Sequence, residues 1–144
     1  MRDPVLESDL RLLTLQVENW KKLHHFINYG LDKAKPTISV EQERQFTELR
    51  GILLQESEHI FGELNLVEEL NSKAMNVLQR ITSIRGVREL AADERRRLEQ
   101  DWNVVFTRLG LMQGQLKMRR KELCSRSVLI ESLARIFGRS KARS

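Results

Sequence analysis

Apolar residues recur at alternating spacings of four and three along nearly the whole chain. This is the pattern of helices that pack along a coiled-coil-like seam. The first stretch begins after Asp3 and Pro4, because the carboxylate can accept from the free amides of a first turn and proline loses no hydrogen bond there. Pro36 ends it, since proline cannot continue a helix. We therefore expect a first helix that starts at Asp3 and Pro4 and whose apolar seam covers residues 6–31.

The second apolar stretch opens at Ser39 and Gln42, whose spacing is that of a capping box. Its seam continues to Ile84, and Gly86 is expected to form the C-terminal cap. Glutamates occupy two seam positions, and Gly62 between them could end one helix before another begins. The unbroken heptad phase favours one long helix over residues 40–86, but two helices joined near Gly62 remain an alternative.

The third stretch begins near Asp93 and extends to Gly138 without a proline, which predicts a helix about 65 Å long. The predicted fold class is therefore all-α: an elongated antiparallel helical bundle or coiled coil of three long helices, or of four if the chain breaks near Gly62. We expect one domain over residues 1–138 and a short basic tail over residues 139–144.

Tight connections near Pro36 and Arg88 would make neighbouring helices antiparallel. Three helices would then share a core at one end, and residues 67–84 and 98–116 would form a hairpin without a third helix over it. A two-helix seam buries only a narrow stripe, so its other apolar side chains would need a cover. The candidate partner-binding residues on this hairpin are Met75, Leu78, Trp102 and Phe106. A second copy, another protein, or internal cover after a break at Gly62 are the alternatives.

Charge is divided unevenly along the chain, whose net charge is +5. Residues 1–72 hold 8 Lys/Arg and 13 Asp/Glu, whereas residues 73–144 hold 17 and 7. The folded-back geometry would place the acidic second helix beside the basic end of the third. The candidate basic surface consists of Arg119, Arg120, Lys121, Arg126, Arg135 and Arg139. These side chains could neutralise phosphates of a nucleic acid.

Residues 127–138 combine a wide apolar face with flanking arginines. This composition suits a helix lying on an anionic membrane surface. It also suits a core helix covered by residues 6–17, which is what the folded-back geometry predicts.

Candidate catalytic chemistry is sparse. Glu56 and His59 have the Glu-x-x-His spacing of di-iron bundles, but such sites need a second copy of the motif. The other histidines, His24 and His25, are preceded three positions earlier by lysines. Cys124 is the single cysteine, and a lone thiol within a helix usually serves packing. We therefore predict no enzyme, no metal site, no cofactor and no small-molecule substrate.

These patterns together predict a non-enzymatic helical protein-interaction module, such as an adaptor, scaffold or chaperone-like protein. It would use exposed apolar helix faces to bind another protein or to form a homo-oligomer. The single cysteine and the absence of an apolar run of about 20 residues indicate a cytoplasmic protein. The alternative is binding of nucleic acid or an anionic membrane surface through the basic C-terminal helix.

Overall fold

The computed structural model describes residues 3–32, 34–35, 37–63 and 68–143, and within these ranges it is all-α with no strand. The five helices are α1 (Pro4–Leu31), α2 (Val40–Glu63), α3 (Glu68–Arg80), α4 (Ile84–Arg88) and α5 (Ala92–Arg143). The all-α prediction is confirmed. The expected stop at Pro36 lies outside the described residues.

The three predicted helix starts are present, with α5 beginning at Ala92, but α5 continues past the predicted end at Gly138 to Arg143. The Asp3 carboxylate accepts from the amides of Val5 at 3.0 Å and Leu6 at 3.3 Å, with Pro4 in the first turn. At the start of α2, the Gln42 amide donates to Ser39 Oγ at 3.1 Å and the Ser39 amide donates to Gln42 Oε1 at 2.8 Å. These reciprocal bonds satisfy amides that have no partner inside the helix.

The chain does not form one helix over residues 40–86. The structure has α2 ending at Glu63, α3 beginning at Glu68, and the short α4 after them. Gly86 is not a C-terminal cap either, because it lies inside α4 and its amide donates to Ser83 Oγ at 2.9 Å. The seam glutamates and Gly62 thus indicated the end of α2 at Glu63, although the heptad spacing of apolar residues continues past it in the sequence.

Helix α1 runs antiparallel to both α2 and α5. The rings of Phe26 and Phe46 meet edge-on with centroids 5.9 Å apart, and Gln16 Nε2 donates to Glu56 at 3.3 Å. Along α5, Trp102 Nε1 donates to the Trp20 carbonyl at 3.1 Å. Farther along, Gln113 Nε2 donates to Thr14 Oγ1 at 3.0 Å and Arg120 lies 3.8 Å from Glu7.

Helix α3 lies between α2 and α5. Arg50 of α2 donates to the Leu78 carbonyl at 2.6 Å, and Arg80 lies 3.8 Å from Asp101 of α5. Together, α1, α2, α3 and residues 92–120 of α5 surround one apolar core, and we call this part the bundle.

The expected bare hairpin is therefore wrong. Residues 68–80 pack against α2 as well as α5, and the first half of α5 packs against α1. The physical reason is the break between α2 and α3, which lets α3 fold back along α2 and complete the cover from within the chain.

Gly30 sets how closely α4 approaches α1. A Cβ atom at this position would lie 2.9 Å from the Ile84 carbonyl oxygen and 3.2 Å from Val87 Cβ. Arg88 reinforces the contact by donating to the Gly30 carbonyl at 2.9 Å and the Lys35 carbonyl at 2.7 Å. At this end of the bundle, α4 therefore packs directly against the backbone of α1.

We expect Gly30→Ala to lower the free energy of unfolding by about 1–2 kcal/mol, because the added methyl group meets backbone that cannot move aside. Gly51→Ala is the matched control, since its Cβ would meet nothing within 4 Å. It should raise the free energy of unfolding by about 0.5–1 kcal/mol through helix propensity. Urea denaturation of both variants measures the difference. A stabilising effect of Gly30→Ala would contradict the close approach.

Candidate interaction surface

The four predicted partner-binding residues belong to the core or its edge. Leu78 and Trp102 are buried, at 0% and 7% exposure, while Met75 and Phe106 are half-buried and pack against the same core. The Trp102 ring lies between His24 and Phe106, with centroid distances of 3.9 and 4.7 Å. Leu78 and Trp102 are therefore not open to a partner, because α3 packs against α2 and α5 while α1 packs over Trp102.

The basic residues remain on the outside of α5. Arg119, Lys121, Arg126 and Arg135 are exposed, and Arg120 lies opposite Glu7. Arg139 falls in the last turns of α5, where side chains lie outside the described set. The expected neutralisation by the acidic second helix is wrong, because α2 packs against α1 and α3 while α5 packs against α1 and α3 from the other side.

Helix α5 is much longer than the helices beside it. It has 52 residues against 28 in α1, and at 1.5 Å per residue it extends about 36 Å farther. The Glu7–Arg120 pair lies close to the start of α1, so α5 continues beyond the bundle after Arg120. We call residues 121–137 the overhang.

The overhang carries a dense group of exposed apolar side chains. Twelve large hydrophobic residues are exposed in the described part of the chain, and six of them lie within residues 128–137, each 44–65% exposed. They are Val128, Leu129, Ile130, Leu133, Ile136 and Phe137. The prediction that residues 127–138 form a core helix covered by residues 6–17 is therefore wrong, because the register of α5 on α1 leaves no α1 residues beside them.

The apolar face of the overhang continues the core seam of the bundle. Buried Leu109 and half-buried Leu116 face α1 and α3, and steps of seven residues from Leu116 lead to Leu123, Ile130 and Phe137. Such steps return to nearly the same side of a helix. With Leu129, Leu133 and Ile136 included, the apolar arc covers about half of the helix circumference at 100° per residue, whereas Val128 lies on the opposite side.

The described residues hold no cluster of three or more His, Cys, Asp or Glu side chains that could bind a metal ion. Glu56 accepts a hydrogen bond from Gln16, while His59 points outward and is exposed. Cys124 is a free thiol on the exposed surface of the overhang. These positions show no arrangement of a nucleophile with a base.

No protein-family model, no curated protein and no solved structure matches this chain. Within the described ranges, none of the helices combines the length and the apolar content that crossing a bilayer requires. The overhang is the part of the described surface that differs most from an ordinary solvated helix, because its apolar side chains are exposed together.

We expect leucine truncation to distinguish the two halves of α5. Leu109→Ala removes a fully buried side chain and should lower the free energy of unfolding by about 2–5 kcal/mol. Leu133→Ala makes the same chemical change on the overhang and should alter it by less than about 0.5 kcal/mol. Denaturation at about 1 μM protein, where association is minimal, makes the comparison. Equal losses would show that the bundle covers Leu133 after all.

Proposed function

We propose that this protein is a non-enzymatic helical interaction module in which an elongated antiparallel bundle holds the overhang as its docking element. The observation that carries the proposal is the group of six exposed apolar side chains within residues 128–137. Among them, Ile130, Leu133 and Phe137 continue the core seam of α5. The bundle supplies the rigid base, since Trp102 and Leu109 anchor α5 between α1 and α3.

The overhang is poorly suited to stand alone in water. A helix of this length without tertiary contacts is marginal in water. Its apolar arc adds contiguous hydrophobic surface of the kind that marks interaction sites. A partner that covered the arc would stabilise the helix and remove this surface from water. Docking would therefore provide the packing that the bundle gives only to the first half of α5.

The partner expected from the sequence, another protein or a second copy, agrees with this surface. A helix with apolar anchors at spacings of three, four and seven is a common recognition element. An adaptor, scaffold or chaperone-like role fits such an element, and the cytoplasm is the proposed location because the chain has one cysteine.

Binding to an anionic membrane surface is the second candidate. Its support is the exposure of Lys121, Arg126 and Arg135 on the overhang, because basic residues beside an apolar arc are typical of interfacial helices. Nucleic acid has less support, since phosphates make no use of an apolar arc and binding to them depends on charge.

Site-specific photocrosslinking tests the docking element. A photoreactive phenylalanine analogue at Ile130 lies on the apolar arc, whereas the same analogue at Glu131 points about 100° away. In cells that express the protein, we expect discrete adducts from position 130 and few from position 131. Adducts to protein support a protein partner, and adducts to lipid support the membrane. Equal or absent crosslinking at both positions would contradict the proposal.

A further inference from the structure

We draw no further inference here: the strongest candidate, the exposed apolar face of the overhang around Ile130, Leu133 and Phe137, carries nothing beyond the proposed function, because nothing in the structure shows what covers it.

Discussion

A helical seam stabilises a protein only where another helix covers it, and in this chain the seam of α5 is about 36 Å longer than α1. Over residues 92–120 the seam is buried, and the Trp102–Trp20 hydrogen bond of 3.1 Å fixes its register on α1. That register brings Arg120 to Glu7, near the start of α1. Beyond it, the seam position at Arg126 is basic, whereas Ile130, Leu133 and Phe137 are apolar and exposed. One structural rule thus accounts for both the core and the surface that we propose as its docking element.

Local signals along the sequence predict the helix starts well. The caps at Asp3 and Ser39 are present because each depends on side chains within three residues of the amide that they satisfy. The seam positions in α1 and the first half of α5 are also buried as their spacing predicts, with Leu13, Trp20 and Leu109 at 0% exposure. Such features need no knowledge of the tertiary arrangement.

The pairing of helices was not predictable in the same way. A heptad pattern identifies the apolar side of a helix but not the helix that covers it. The break between Glu63 and Glu68 leaves the phase of the seam unchanged, so the pattern fits one long helix and two shorter ones equally. Because α3 packs back onto α2, Leu78 is buried in the core. Trp102 is buried against α1, and the register of α5 on α1 leaves residues 128–137 exposed. The unequal lengths of the first and third apolar stretches were the signal in the sequence that could have indicated the overhang.

The central claim is that one continuous helix is covered by its own chain in its first half and left uncovered by that chain in its second half. Hydrogen–deuterium exchange read by mass spectrometry in dilute protein tests this most directly, because amide protection follows local cover. We expect slow exchange over residues 98–116. Residues 121–137 should exchange rapidly, because no other part of the chain packs against them. Slow exchange of residues 121–137 in dilute protein would contradict the claim, since it would mean that the lone chain already covers them.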